Sequence, residues 1–251
     1  MNYLYKTLLV LVACLYLSSC KIMYKPNMQN VPLMKEQGEV RANLNFNNAQ
    51  VAYAITDNIG IMANGYWGGS RWTAGGMWSA YEEIYRTRRF LAEGALGYFR
   101  EIGDDFHFEI YGGGGYGGVS FSHSFSFMGE DDFQSRYSAN MVRAFIQPAI
   151  GYQHEIVDVI FSTRIVGLNF MNVDTINYSR EALRMEGLDN LHRATYIFVE
   201  PAFTVRVGYK YAKFHFQVMY SAKMNPDPLN YRALGVNMGA HINIARRWKN
   251  Q

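Results

Sequence analysis

Three glutamates and three arginines, Glu93, Glu109 and Glu200 with Arg143, Arg164 and Arg206, occupy the polar positions of segments in which every second residue is apolar. Such a nearly balanced set has two uses: it neutralises itself as an ion-pair network, or it lines a narrow passage as a gate or selectivity ring. His107, His215 and His241 share the polar parity, and imidazole suits zinc, but no cysteine or short-spaced carboxylate accompanies them. No metal and no cofactor is therefore expected. Ser120, Ser122 and Ser124 with His123, and His192 further on, supply nucleophile and base types without a spacing that fixes a triad. The glycine-rich run 112–118 lacks the Lys-Ser/Thr that a phosphate loop needs, and reads as a strand kink or a place where aromatics pack closely over the missing side chains. Trp72, Trp78 and Tyr81, with Arg71, Arg86, Arg88 and Arg89 around them, form a cluster able to bind a sugar, a lipopolysaccharide phosphate or a protein. The same rings could instead pack on one another over a mouth.

The N-terminus carries a separate chemistry. Lys6 precedes an apolar stretch from Leu8 to Leu17, a length that suits a secretory signal and not a membrane span. Leu17-Ser18-Ser19-Cys20 then resembles a bacterial lipobox, which implies removal of residues 1–19 and acylation of Cys20 with palmitate-type chains. Of the two cysteines, Cys14 and Cys20, only the second would persist, so no intrachain disulfide is expected. No acidic residue follows in Lys21-Ile22-Met23-Tyr24-Lys25, and by that resemblance the anchor belongs in the inner, periplasmic leaflet of an outer membrane. Residues 20–37, with Pro26 and Pro32, show no periodicity and read as an extended lipidated tether.

What must position these groups is a set of strands. From residue 38 to 246 the dominant period is two, with apolar faces such as Val142, Ala144, Ile146 and Ile150 against Arg143 and Gln147. Turn tripeptides at Thr56-Asp57-Asn58 and Gly103-Asp104-Asp105 separate strands, and about ten strands result, an even number that suits a bacterial single-chain barrel. Links near 57, 103, 154 and 211 are short; those at 68–87, 119–137, 171–194 and 222–230 are long. The apolar faces are too aromatic to fill a small lumen, so they are assigned to lipid and the charged faces to the interior. Tyr98, Phe106, Tyr152, Tyr209 and Phe214 sit on the apolar parity beside the short turns, where an interfacial girdle belongs. Pro148 and Pro201 within strands demand a bulge or a local break. Residues 247–251 form a short periplasmic tail without a terminal aromatic.

Composition agrees with this architecture. Of 251 residues, 49% are hydrophobic, 16% aromatic and 18% charged, and the net charge of +3 comes without a basic tract, so no nucleic-acid partner is expected. Tyr24-Lys25-Pro26-Asn27, Asn30-Val31-Pro32-Leu33, Gly38-Glu39, the segment from Ala52 to Gly65, Glu200-Pro201 and Val205-Arg206-Val207-Gly208-Tyr209 resemble uncharacterised lipoproteins of Bacteroidota that carry an outer-membrane β-barrel domain. The resemblance implies a fold and an address and supplies no catalytic residue. The expectation is an all-β, closed, antiparallel up-and-down transmembrane barrel with a structural or surface-binding role, its lumen plugged by Glu/Arg pairs. Its expected partners are outer-membrane lipids, the barrel assembly machinery, and a surface glycan or protein. A narrow channel, a rim-sited lipid A modifying enzyme and a soluble, lipid-anchored, lipocalin-like barrel are the alternatives.

Overall fold

The computed structural model describes residues 21–75, 81–103, 105–128 and 130–245. Eleven strands follow in order: β1 (Val40–Asn45), β2 (Asn48–Ala54), β3 (Ile59–Ala74), β4 (Tyr81–Glu101), β5 (Phe106–Phe127), β6 (Glu130–Gln153), β7 (Val157–Ile176), β8 (Thr195–Tyr209), β9 (Ala212–Tyr220), β10 (Ala222–Lys223) and β11 (Leu234–Ile244). From β1 to β9 each strand pairs antiparallel with the next; β9 then pairs with β11, and β11 with β1. The result is a closed up-and-down barrel of ten strands, with two-residue β10 added beside β8. Closure removes every edge that would otherwise seek another chain.

The alternation expected from sequence holds through the lower wall. Ala52, Ala54, Met62 and Asn64 are buried, while Val51, Tyr53, Ile59 and Ile61 are exposed. Ile146, Phe161 and Val236 are each more than half exposed, at 55%, 53% and 53%, which is the reverse of a water-soluble core. Tyr98, Phe106, Tyr209 and Phe214 are exposed at the short-turn end, and Trp67 and Phe90, paired across β3 and β4, are exposed at the other.

Three expectations about the wall need correction. The segments 68–87 and 119–137 are largely strand: β4 to β7 run 20–24 residues, about twice the 9–11 that cross a bilayer. Their alternating residues continue past the apolar belt as a projecting sheet. Consequently Arg71 and Trp72 lie within β3 and not in a loop, whereas Trp78 lies outside the described residues. Of the prolines, Pro148 has the expected local break, since β6–β7 pairing skips Gln147 and Pro148 and resumes in the same register, but Pro201 shows neither bulge nor break and stands opposite Thr163 in continuous β7–β8 register. Register shifts occur higher, at Phe125/Ser126 and Ser138/Asn140.

The largest departure is inside. Residues 21–37 are extended as expected, but they run through the lumen: Met23, Tyr24, Asn27, Met28, Gln29, Asn30, Val31, Leu33 and Met34 are all buried. The segment enters at the long-connection end, where Lys21 reaches Tyr178 and Glu186, and leaves at the short-turn end, where the Gln37 amide donates to Asp57. Gly38, with φ of 82°, turns it back into β1, in a left-handed conformation that glycine adopts without strain.

The upper lumen is apolar, which strict polar-inside parity did not foresee. Phe145, Leu168, Phe170, Tyr196 and Phe198 pack there with Met23 and Tyr24. The β7–β8 connection closes over them. Its helix α1 (Arg180–Met185) is capped by the Ser179 side chain, which accepts from the Ala182 amide at 3.1 Å, and it ends at Gly187, whose φ is 67°. The following turn buries Leu188 and Leu191.

Candidate functional site

An extended segment inside a barrel cannot use the strand ladder, because the wall has already paired its own backbone. Its amides and carbonyls must find other partners: at the mouth Met23 and Tyr24 pair with the backbone of Asn230 and Arg232, and from Met28 to Lys35 side chains serve instead. They do so almost residue by residue. Gln50 Nε2 donates to the Met28 carbonyl at 2.8 Å. The Gln217 amide serves Gln29 twice, accepting from its N–H at 2.9 Å and donating to its carbonyl at 3.0 Å. Gln147 Nε2 donates to the Asn30 carbonyl at 2.6 Å and Arg206 Nη2 to the Val31 carbonyl at 2.7 Å, while Arg41 Nη1 donates to Pro32. Glu109 accepts from the Leu33 N–H at 2.8 Å, and Glu39 from that of Lys35 at 2.7 Å. Each unpaired buried amide or carbonyl would cost about 1–3 kcal/mol, so this sequence of partners fixes both path and direction.

The six expected lumen charges all point inward and are buried, but they form two groups rather than one network. Glu93, Arg143, Arg164 and Glu200 surround Tyr24. Glu93 pairs with Arg143 and stands 3.8 Å from Arg164. The Tyr24 hydroxyl donates to Glu200 at 2.9 Å and accepts from Arg143 Nη1 at 2.8 Å, while its ring lies 4.7 Å from that of Phe198. One side chain thus joins the apolar upper half to the charged lower half. Arg164 bonds Gln147 through Nε and Nη2 and lies over the Phe145 ring, with its guanidinium carbon 4.6 Å from the centroid.

Glu109 and Arg206 belong to the second group, nearer the short turns. Its other members, Glu39, Arg41, Asp158 and Lys213, were missed as site residues although Arg41 and Asp158 show the right parity. Arg41 pairs with Glu39 at 2.7 Å, Lys213 with Asp158 at 2.6 Å, and Arg206 Nη1 stands 3.9 Å from Asp158. Formal charges cancel within each group, as sequestered ions require.

The glycine run explains how the first group can form. Gly115 lies between Glu93 on β4 and Arg143 on β6 in one register row. With no side chain there, the carboxylate reaches the guanidinium across the intervening strand. A Cβ on Gly115 would stand 2.9 Å from Glu93 Cγ and 2.7 Å from the Ala92 carbonyl oxygen. The strand is unbroken, and the space at Gly115 serves an ion pair where packing of aromatics was expected; within the run an aromatic, Phe90, lies where a Cβ would go at Gly118.

The three inward histidines are buried but engage separate partners. His241 Nδ1 lies 2.7 Å from Asn43 Oδ1, His215 Nδ1 accepts from Arg206 Nε at 3.3 Å, and His107 Nε2 is 3.8 Å from Glu101. No metal-competent group of three side chains occurs among the described residues. At the opposite end His123 stacks on Tyr85 with centroids 4.3 Å apart, and no serine hydroxyl among the described residues is bonded to it or to His192.

The mouth itself holds a cleft of about 740 Å³ bordered by Lys21, Tyr85, Arg89, Phe121, Tyr178 and Arg232. Lys21 Nζ donates to the Tyr178 hydroxyl at 2.6 Å and pairs with Glu186 at 2.7 Å. Burial pulls its pKa down, and the bonds and charges of Glu186 and Tyr178 outweigh that, holding it above the ordinary lysine value. Arg89 Nη2 donates to the Ile22 carbonyl at 2.7 Å, so the start of the threaded segment forms part of the cleft wall. Trp72 packs against Tyr85, with centroids 5.4 Å apart, and Arg71 pairs in register with Arg86, which borders the cleft. Cys20 lies outside the described residues. Lys21, which follows it, stands at the long-connection end, opposite to the end at which the sequence reading put the anchor.

No family model and no curated relative matches this chain. Among solved structures it is similar to the outer membrane protease OmpT of Escherichia coli, at 9% identity over 82% of this chain and 90% of that one, with a TM-score of 0.42. It is also similar to Acinetobacter baumannii CarO, at 8% identity over 85% and 99% of the two chains, with a TM-score of 0.36. At such identities the likeness stops at the shape of an outer-membrane-type barrel.

Proposed function

We propose that the chain is an outer-membrane barrel stoppered by its own N-terminal segment, with a structural or surface-binding role and no through-passage. The observation that supports this most is the pairing of successive backbone groups from Met28 to Lys35 with lumen side chains. A channel needs a continuous aqueous path; here the path is filled by peptide. The exposed apolar belt between Trp67 and Ile59 on β3 spans nine positions, the length a tilted strand needs to cross hydrocarbon. Long connections and projecting strands face outward in such barrels and short turns face the periplasm. On that rule the mouth cleft, with Arg89, Arg232, Tyr85 and Phe121, is the binding surface presented to the medium.

The same rule favours the outer leaflet over the inner one expected for the anchor. Lys21, at the outward mouth on that rule, is preceded in sequence by Cys20. If acylated as the lipobox implies, it would insert its chains into the outer leaflet, and the threaded segment would carry the chain back to the periplasmic end. Loss of acyl labelling in Cys20→Ser is the expected result; persistent labelling would contradict the lipobox reading. For the barrel, planar-bilayer recordings of the full chain should show no step above background, and regular conductance steps would overturn the stoppered reading.

A further inference from the structure

Just above the exposed rings at the long-connection end, the outer face of the wall changes character. Register places Trp67, Phe90, Gly118 and Asn140 in one row across β3 to β6. The next outward row is Gly69, Arg88, Ser120 and Ser138, and the one after it is Arg71, Arg86, Ser122 and Arg136. Four arginines thus stand on the same parity as Phe90, and all four are exposed. Arg86 also borders the mouth cleft.

Two features set this patch apart from an ordinary solvated face. Arg71 and Arg86 are directly opposed on neighbouring strands, an arrangement in which like charges repel unless an anion lies between them. None of the four has an ion-pair partner among the described residues. The nearest carboxylates by register are Asp174, opposite Ser138 and diagonal to Arg136, and Glu82, four residues along β4 from Arg86. Neither is paired with an arginine of the patch.

Height then suggests the anion. At 3.3–3.4 Å per residue and a tilt near 40°, the two arginine rows stand roughly 5 and 10 Å above the aromatic row. That interval is where a bilayer gives way from hydrocarbon to headgroup, and arginine stems can bend toward it. Guanidinium groups bind phosphate through paired, parallel hydrogen bonds. Between the arginines lie Ser120, Ser122 and Ser138, small hydroxyl residues that leave room for a sugar and can bond its hydroxyls.

We propose that this face binds the phosphate-bearing headgroup of an outer-leaflet glycolipid. Arg71 and Arg86 clamp one phosphate, and Arg136, two strand spacings from Arg86 or about 10 Å away, takes a second. The proposal rests on the membrane reading given above, because the rows have meaning only against a bilayer.

The test is native mass spectrometry of the full chain in detergent, titrated with diphosphoryl lipid A, with the same lipid stripped of phosphate, and with phosphatidylglycerol. Wild-type protein should retain diphosphoryl lipid A, and removal of the phosphates should weaken retention about tenfold or more, as loss of charge-assisted bonds implies. The combined variant Arg71→Gln, Arg86→Gln, Arg136→Gln should show the same loss, whereas Arg100→Gln, exposed at the short-turn end, should bind as wild type. Equal retention of the two lipid A forms, or by the triple variant and wild type, would overturn the proposal. Equal, arginine-dependent retention of phosphatidylglycerol would overturn it in favour of a phospholipid. Recovery of the chain in the soluble fraction without detergent would instead remove the membrane reading, and the proposal with it.

Discussion

Gln217 makes two bonds to one residue, accepting from the Gln29 N–H and donating to its carbonyl, and it is steadied by a further donation to Thr204 Oγ1 at 2.8 Å. Replacement by leucine keeps the volume and removes both partners, stranding a buried amide and a buried carbonyl. Gln217→Leu should therefore destabilise the protein by about 2–4 kcal/mol in urea unfolding from lipid vesicles. A change under about 0.5 kcal/mol would show that the Gln29 backbone does not depend on it. Glu93→Gln should cost about 3–5 kcal/mol, because Arg143 and Arg164 then keep their charges without the carboxylate. Which side chains face inward was legible from the alternation of Glu93, Arg143, Glu200 and Arg206 with apolar neighbours. What they bind was not: Tyr24, Asn27 and Val31 supply several of their partners, from a segment whose successive positions meet different parts of the wall, so that no period can arise. Tyr24 illustrates the point, since its ring and its hydroxyl answer to opposite halves of the lumen.

At the scale of elements, β5 is the strand that lets its neighbours approach each other. Gly113, Gly115 and Gly117 face inward against β4, and a Cβ on Gly115 would press on Glu93 Cγ and the Ala92 carbonyl. Gly112, outward on the same strand, has nothing within 4 Å of its Cβ position. Gly115→Ala should thus lower the yield of the compact, heat-modifiable form on gels, while Gly112→Ala should migrate like wild type. Identical yields for the two would contradict the packing role assigned to the inward glycines. The sequence period identified the strands, their pairing order and the short turns, because alternation and turn chemistry are local. It failed at 68–87 and 119–137, where strands continue above the apolar belt. At 119–127 the alternation persists, with Val119 and Phe121 buried in the apolar upper lumen between serines, whereas at 68–87 the described residues of both faces are exposed or half-buried, so the apolar alternation fades although the ladder of hydrogen bonds does not. Arg71 and Trp72 were read as loop residues for that reason.

For the whole molecule, the threaded segment couples three features that the chain order keeps apart: the N-terminal junction at the mouth, the two neutral charge groups in the lumen, and the turn at Gly38 that starts the wall. Apolar parity alone led to a lumen filled by its own ion pairs, with residues 20–37 left outside as a tether. The structure instead uses those pairs to hold a peptide, which accounts for glutamines such as Gln50, Gln147 and Gln217 in the lumen, where ion pairing alone gives them no task. An epitope inserted at 76–80 should be detected on intact cells, and one at residue 104 only after permeabilisation, if the long-connection end faces outward; the reverse pattern would invert the orientation. The threading itself is tested most directly by amide hydrogen exchange of the full chain in lipid, followed across residues 28–35. Bonds to Gln217, Glu109 and Glu39 should protect the Gln29, Leu33 and Lys35 amides to the same degree as the strands of the wall. Complete exchange of those three amides within seconds, against a protected barrel, would contradict the account.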